Sequence, residues 1–428
     1  MLKHQILWAV GLAAALVVLV GAITIPNSER ATGAAVHFAD PGLEAAIRVW
    51  IIKPTGAIHA SELEDLTHLD ARNRGIKNLE GIQHCVSLEQ LVLGPAWPLN
   101  DNPNQISDLQ PLAGLANLTH LYLSHNLVFD ISPLSGLTNL TELDLAGNVI
   151  ADISPLSNLT NLLWLFLNDN EIADITPLLE LRQLTRLTLD ANQVVDLSVL
   201  SRFKSLDFLG LSRNKVVDIS SLSALSNLSH LDLAGNQISD ISPLSTLSNL
   251  KHLDLEDNQI TDLSSLLSLD NLNKLFLGGN QITDISPLLG LTNLITLWLR
   301  GNQITCIDPI AKLTDLTGLS LSGNLITDIE PLSVLTNLQV LHLDQNLVMD
   351  VSSLSRLGML SELHLGGNRI VDIGQLLALP RLTSLELHDN QLDLAPGSQD
   401  LLDIQSFIDR GIDVEFEPQN SLQFSEDP

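Results

Sequence analysis

Residues 140–161 of the chain read LTELDLAGNVIADISPLSNLTN, and the frame of this segment returns every 22 residues. The recurring positions include a leucine pair at Leu143 and Leu145, an asparagine at Asn148 and an aspartate at Asp152. A fixed period of this size indicates a solenoid, in which each repeat packs on its neighbours, rather than separate globular domains. The length of 428 residues therefore reflects the number of repeats.

The spacing inside the repeat predicts a short strand followed by a turn. Leu143-x-Leu145 has the period-two pattern of a strand, so both leucines point inward while Glu142 and Asp144 point outward. We expect the asparagine that follows to be buried, because its side chain can donate and accept hydrogen bonds with backbone groups of the turn. This column, called the asparagine ladder below, consists of Asn104, Asn126, Asn148, Asn170, Asn192, Asn214, Asn236, Asn258, Asn280, Asn302, Asn324, Asn346, Asn368 and Asn390.

The return segment of each repeat, as in Asp152-Ile153-Ser154-Pro155, predicts a short helical turn with Ser154 as its cap and Pro155 at its first position. Because a helical turn is wider than a strand, the stack should curve with the sheet on its concave side. An aspartate recurs four residues after the ladder asparagine in twelve repeats. We expect each one to accept backbone N–H bonds where the turn begins; a column of calcium sites is the alternative.

The ends of the array depart from the frame. Two further strands, near Leu69 and Leu91, precede thirteen regular ones. The domains that we predict are an N-terminal cap (31–65), the repeats (66–396), a C-terminal cap (397–418) and a loose tail (419–428). The fold is an α/β solenoid with one curved parallel sheet of about 15 repeat strands. Short helical turns lie on its convex side, a helix caps its N-terminal end, and a helix and a strand cap its C-terminal end.

This pattern resembles the bacterial internalin-type leucine-rich repeats of the 22-residue class, which form horseshoe-shaped solenoids. The resemblance covers about residues 66–396, and the segment from Phe38 to Ile47 is similar to the helical cap that precedes such arrays. It implies extracellular protein recognition, and it does not identify the ligand. We predict that the partner binds on the concave face. Two alternatives remain: a regulatory subunit inside the cell that binds a phosphatase-like partner, and a structural adhesin without a discrete ligand.

The N-terminus contains an uncharged apolar run from Ile6 to Ile25, between Lys3 and Glu29. A charged start followed by an apolar run is typical of chains that are exported. The run exceeds the usual apolar part of a cleaved signal, about 7–15 residues, and matches the length of a bilayer span. We therefore assign residues 1–30 to a signal peptide or a single membrane anchor. The repeats should lie outside the cytoplasm, as a secreted, periplasmic or cell-surface protein.

The charge balance narrows the class of partner. The chain has 21 Lys and Arg residues against 50 Asp and Glu residues, a net charge of −29. Such a surface repels nucleic acid, so we predict a protein as the partner. The sequence contains no Gly-rich phosphate loop, nucleophile elbow or zinc-binding helix motif, and we predict no enzyme activity, cofactor or metal.

Aromatic residues mark the candidate binding site. Two outward positions in each of the thirteen regular strands give 26 positions, and these contain six of the 15 Phe, Trp and Tyr residues. Protein interfaces favour aromatic anchors, whereas the alternative role is to stabilise the sheet by cross-strand contacts. We predict one patch before and one patch after a polar stretch that contains His230, Asp232, His252 and Asp254. The predicted partner-binding residues in these columns are Tyr122, Trp164, Phe166, Phe208, Phe276 and Trp298.

A proline-rich insertion, residues 94–103, leaves the frame directly after a strand. Insertions in repeat arrays often map to the binding face, which makes Trp97 a seventh candidate contact. Five histidines also occupy the outward columns, with His230 beside His252 and His342 beside His364. Such neighbours are able to share a metal ion. Closely spaced histidines on a polar sheet face are usually ordinary surface, so we do not predict a metal site.

Overall fold

A computed structural model describes residues 34–95 and 102–419, which belong to two compact units. Unit 1 ends at Leu184 and unit 2 begins at Thr185. The predicted signal or anchor segment (1–30), Trp97 and nearly all of the predicted tail lie outside the described residues. No helix in the described ranges has both the length and the apolar character needed to cross a membrane.

Unit 1 begins with a small cap. Strands β1 (Ala35–Val36) and β2 (Ile58–His59) pair antiparallel, and helix α1 (Pro41–Trp50) lies between them in sequence. Asp40 caps this helix, because its Oδ1 accepts the N–H of Gly42 at 2.8 Å. Its Oδ2 accepts the N–H of Lys77 at 2.8 Å, which ties the cap to the first repeat. The helical N-terminal cap is thus confirmed.

The rest of unit 1 is a parallel sheet whose strands follow chain order. Its strands are β3 (His68–Asp70), β4 (Gln90–Val92), β5 (His120–Tyr122), β6 (Glu142–Asp144) and β7 (Trp164–Phe166). Equivalent positions of neighbouring repeats are paired, as Leu121 is with Leu143. This register follows from the fixed period, because each repeat delivers the same leucine to the core.

Unit 2 continues the same architecture within its own residues, with ten repeat strands and a closing element. Its strands and helix are β8 (Arg186–Thr188), β9 (Phe208–Gly210), β10 (His230–Asp232), β11 (His252–Asp254), β12 (Lys274–Phe276), β13 (Thr296–Trp298), β14 (Gly318–Ser320), β15 (Val340–His342), β16 (Glu362–His364), β17 (Ser384–Glu386), α2 (Gln399–Asp409) and β18 (Asp413–Glu415). Strand β18 pairs with β17, so the last repeat strand has no open edge. The predicted helix and strand at the C-terminal end are confirmed.

The core of each unit consists of the repeated leucines and isoleucines. In β10 and β11, Leu231 and Leu253 are paired across the sheet and are buried. After each strand the chain turns and enters a short 3-10 helix, such as Ser242–Thr246, whose Leu244 completes the same core layer. The side chains that alternate with the inward leucines point to the opposite face of the sheet. We call that outward side of the strands the open face.

The aspartate column acts as predicted, but the serine beside it does not. Each of the twelve aspartates accepts the backbone N–H of the second residue after it; for Asp152 that residue is Ser154, at 2.8 Å. This bond lowers the pKa of Asp152. Ser154 is the first residue of the turn, and Ile153 precedes it without a side-chain cap. The prediction that Ser154 caps the turn was wrong, because Asp152 accepts both the Ser154 N–H and, at 3.0 Å, the Ser154 hydroxyl. Pro155 is the second residue of the turn and not the first.

Candidate functional site

The open face carries side chains in columns, because paired strands place equivalent residues side by side. The first outward position of β10 is His230, which pairs with Phe208 on one side and His252 on the other. Neighbouring strands lie about 4.8 Å apart. Side chains in one column are therefore close enough to stack, and long side chains also reach the neighbouring column.

Among the described residues of unit 1, three aromatic side chains lie on the open face: Tyr122, Trp164 and Phe166. The hydroxyl of Tyr122 donates a hydrogen bond to Glu142 Oε2 at 2.5 Å. Burial and the Glu142 carboxylate together raise the pKa of Tyr122, so this hydroxyl remains a donor at neutral pH. Trp164 is half-buried, whereas Phe166 is only 7% exposed. Trp164 and Tyr122 are thus the predicted contacts of this unit that a partner can reach.

In unit 2 five rings form a continuous row across five strands. The ring centroids are 5.7 Å apart for Phe208 and His230, 5.8 Å for His230 and His252, and 5.2 Å for His252 and Phe276. Trp298 ends the row with its ring edge-on to Phe276 at 5.2 Å. His252 occupies the first outward position of β11, whereas Phe276 occupies the second outward position of β12. The row therefore moves from one column to the other between these two strands. We call these five residues the ring row.

The two histidines of the ring row are uncharged at neutral pH. Burial lowers the pKa of His230. Burial, together with the nearby His230 and Lys274, lowers the pKa of His252 to about 4. A neutral imidazole is a flat ring that stacks on an aromatic neighbour without the cost of burying a charge. The ring row therefore presents one partly apolar strip.

Carboxyl groups line the second column beside these histidines. Asp232 and Asp254 each accept the backbone N–H of the second residue after them, at 3.0 Å. Burial, together with Asp190 and Asp254, raises the pKa of Asp232 well above its usual range. Burial is also the main reason why the pKa of Asp254 rises to about 7. This stretch of the open face thus carries less charge than its composition indicates.

The raised pKa of Asp254 predicts a pH-dependent effect of Asp254→Asn. The folded state holds the Asp254 proton more tightly than the unfolded state does. The stability that this protonated carboxyl contributes is therefore complete below about pH 4 and is lost as pH rises through about 7. Asparagine stays neutral and keeps an oxygen for the Glu256 N–H. At pH 8 the variant should be more stable than the wild type by about 1–3 kcal/mol in urea unfolding, with little difference at pH 4.

Asp240→Asn is the matched control for this measurement. Asp240 is an exposed turn aspartate whose pKa is lowered by the backbone N–H of Ser242. Its contribution is present above the unfolded-state pKa and is lost only as pH falls, so this variant should gain no stability at pH 8. A difference for Asp254→Asn that is the same at pH 4 and pH 8 would contradict the assignment.

Two features of the open face differ from the sequence prediction. The histidines and aspartates were expected to form a polar gap between two aromatic patches, yet His230 and His252 join Phe208 to Phe276 through stacked and tilted ring contacts. Phe166 and Phe276 were expected to face solvent, yet only 7% and 5% of their surfaces are exposed. The available signal was that Phe208, His230 and His252 occupy equivalent positions of three consecutive repeats.

Comparison with known proteins gives a consistent picture. Five segments match the family described as leucine-rich repeats (2 copies): residues 116–158, 204–246, 248–290, 292–333 and 314–356. The crystal structure of an internalin, InlF, from Listeria monocytogenes is 35% identical with a TM-score of 0.68, over 84% of this chain and 96% of that chain. No curated protein gives a match.

Two further solved structures are similar. A leucine-rich-repeat protein of Leptospira interrogans is 27% identical with a TM-score of 0.69, over 83% of this chain and 97% of that chain. The ectodomain of the plant receptor kinase GASSHO1/SCHENGEN3 from Arabidopsis thaliana is 26% identical with a TM-score of 0.60. That match covers 73% of this chain and 40% of that chain, which was crystallised in complex with CASPARIAN STRIP INTEGRITY FACTOR 2.

Proposed function

This chain belongs to the internalin-type leucine-rich-repeat proteins, and from that premise we propose that it is a scaffold that binds one protein partner on its open face. The observation that carries the proposal is the ring row of unit 2. Leucine-rich-repeat proteins are generally binding scaffolds rather than enzymes, and we propose no catalytic activity for this chain.

The contacts of the ring row explain how it would bind. Phe276 is almost fully buried, and it supports Trp298 edge-on, which fixes the orientation of the indole before any partner arrives. Hot spots of protein interfaces are enriched in Trp and Tyr that are held in this way, because little side-chain entropy is lost on binding. Phe208, Trp298 and the two neutral histidines then offer a strip that a partner can desolvate without burying a charge.

The open face of unit 1 carries its own candidate contacts, which are described for that unit alone. Trp164 and Tyr122 offer aromatic surface, and Tyr122 keeps its hydroxyl as a donor toward Glu142. Trp97 stays a proposal from the sequence alone. A discrete partner is favoured over a structural adhesin because weak, repetitive adhesion does not require aromatic residues gathered at a few strands.

We place the repeats outside the cytoplasm, with residues 1–30 as signal peptide or membrane anchor. The support comes from the uncharged run between Ile6 and Ile25 and from the similarity to an internalin and to a receptor ectodomain. An intracellular regulatory subunit has no need for such a run.

One cross-linking experiment tests both the binding of a partner on the open face and the location of the repeats outside the cytoplasm. A photoreactive amino acid replaces Thr296 on the open face of β13 or, as the control, Thr246 at the end of a 3-10 turn. Intact cells that produce the full chain are irradiated, with and without prior treatment by an external protease. A single cross-linked protein should appear with Thr296 only, and the protease should abolish it.

The outcomes that contradict the proposal are distinct. Cross-links of equal yield from both positions would indicate adhesion without a discrete site. Full protection of the repeats from the protease would show that they lie inside the cell, whether or not a partner is found on the open face.

A further inference from the structure

We propose that His342, Glu362 and His364 form a binding site for a transition-metal ion of the Zn²⁺ class on the open face of unit 2. The three residues lie on the adjacent strands β15 and β16. The site is separate from the ring row, whose last member is on β13. It also departs from the sequence prediction, in which these histidines were ordinary surface.

The strand register brings the donor atoms together. His342 and His364 are directly paired across β15 and β16, and their rings stack with centroids 4.1 Å apart and planes 10° apart. Glu362 lies two residues before His364, in the neighbouring column. Its Oε1 is 3.0 Å from His342 Nε2 and 3.4 Å from His364 Nε2. The carboxylate oxygen thus lies close to both ring nitrogens.

The distances place all three ligand atoms within reach of one ion. The three ligand atoms all lie within 4.8 Å of one another. Around a tetrahedral Zn²⁺ with bonds of about 2.0–2.2 Å, two ligand atoms are separated by roughly 3.3 Å. The two rings are stacked with nearly parallel planes, so binding of an ion requires both rings to rotate until each Nε2 points at one shared position, and Glu362 to move aside from it.

The donor types select the class of ion. Two imidazole nitrogens and one carboxylate oxygen suit Zn²⁺ and similar transition metals, whereas Ca²⁺ and Mg²⁺ prefer oxygen ligands. Three protein ligands leave a fourth position for water or for a group of a partner. The side chains of His342, Glu362 and His364 are 25%, 41% and 20% exposed, so an ion can enter from solvent without unfolding any strand.

Two further carboxylates lie near His364. Its other ring nitrogen, Nδ1, is 3.4 Å from Glu386 Oε2 and 4.0 Å from Asp344 Oδ2. A carboxylate near the outer nitrogen favours the tautomer in which Nε2 is free to bind the metal, an arrangement common in histidine metal sites. The carboxylates also make the local potential negative, which attracts a cation.

The other histidine pair on the open face lacks this arrangement. His230 and His252 are also paired across neighbouring strands, but their ring centroids are 5.8 Å apart. Within the described residues, neither belongs to a group of three side chains placed to bind one metal ion. Adjacent histidines alone therefore do not define the site. The site is defined by a carboxylate, that of Glu362, which lies close to the Nε2 atoms of both rings.

Zn²⁺ titration of the full chain tests the proposal. Protein stripped with a chelator is titrated with ZnCl₂ by calorimetry, and the metal bound per chain is measured after dialysis. The wild type should bind one Zn²⁺ that His342→Gln or Glu362→Gln weakens by about tenfold or more. Co²⁺ in place of Zn²⁺ should give the intense visible absorption of tetrahedral coordination in the wild type only.

Two variants serve as controls. His120→Gln removes an open-face histidine of unit 1 that lies 3.6 Å from a single carboxylate, that of Glu142, and it should leave the affinity unchanged. His388→Gln alters a neighbouring group that contains Asp344 and Glu386. If this variant abolishes binding while His342→Gln does not, the ion sits in that group and the proposed site is wrong.

Equal Zn²⁺ binding by the wild type and Glu362→Gln would also overturn the proposal, as would a wild type that binds no Zn²⁺. Circular dichroism melts without metal should be alike for all variants, because the substituted side chains are partly exposed. If His342→Gln fails to fold, the shape-conserving Glu362→Gln decides the result.

Discussion

Replacing Asn236 with alanine should lower the free energy of unfolding by about 2–6 kcal/mol, because it removes three buried hydrogen bonds. The Asn236 Nδ2 donates to the carbonyl oxygens of Leu211 and Leu233, both at 2.9 Å, and Oδ1 accepts the N–H of Val216 at 3.0 Å. Alanine leaves the Val216 N–H without that partner. Equilibrium unfolding in urea measures the loss.

The bonds of Asn236 also predict which repeats are affected. The Leu211 carbonyl accepts from Asn214 as well, and the Leu233 carbonyl accepts from Asn258, so each carbonyl joins two consecutive members of the asparagine ladder. Removal of one asparagine should therefore speed hydrogen exchange in the repeats on both sides. Nearest-neighbour coupling of this kind is expected in a solenoid.

Asn249→Ala is the matched control for this prediction. Asn249 belongs to the same repeat and makes one exposed hydrogen bond, from Nδ2 to the carbonyl of Ser226 at 2.8 Å. Its removal should change stability by no more than about 0.5 kcal/mol. If the Asn236 and Asn249 variants unfold at the same urea concentration, the ladder does not stabilise the fold.

The fold was predictable from the sequence because one local rule is repeated with a fixed period. The pair Leu143 and Leu145 defines the inward face of a strand, and the 22-residue spacing then requires parallel pairing in register, as Leu121 shows with Leu143. The end elements were also predictable, since α2 and β18 have helical and strand periodicity and an open edge needs a cover.

The open face was harder to predict because its contacts depend on rotamers and on neighbours in two columns. Phe276 is buried by His252 from the other column and by Trp298 beside it, which a reading of each column alone does not reveal. The group of His342, Glu362 and His364 was hard to predict for the same reason. Glu362 reaches His342 on the neighbouring strand and in the neighbouring column, and only the side-chain conformation places its carboxylate close to the Nε2 atoms of both imidazoles.

Truncation of Trp298 to alanine should weaken partner binding by about thirtyfold or more, equivalent to at least about 2 kcal/mol for a hot-spot anchor. The indole is half-buried and touches Phe276 only edge-on, so the cost to stability should be about 1 kcal/mol. The readouts are the affinity for the partner identified by cross-linking and urea unfolding of the free chain.

Phe276→Ala separates support of the indole from direct contact. Because Phe276 is 5% exposed, its truncation should destabilise unit 2 by about 3 kcal/mol. Binding should also weaken, since Trp298 loses the ring that orients it. The two variants thus differ in the ratio of lost affinity to lost stability, which is high for Trp298 and low for Phe276.

Phe129→Ala provides an aromatic control away from the open face. Phe129 follows a ladder asparagine by three residues and is 65% exposed, so its truncation removes apolar surface without touching a strand. Neither affinity nor stability should change measurably. If Phe129→Ala weakens binding as much as Trp298→Ala, the partner does not select the open face. If Trp298→Ala unfolds unit 2 while the folded fraction binds with full affinity, the ring row stabilises the sheet and is not the binding site.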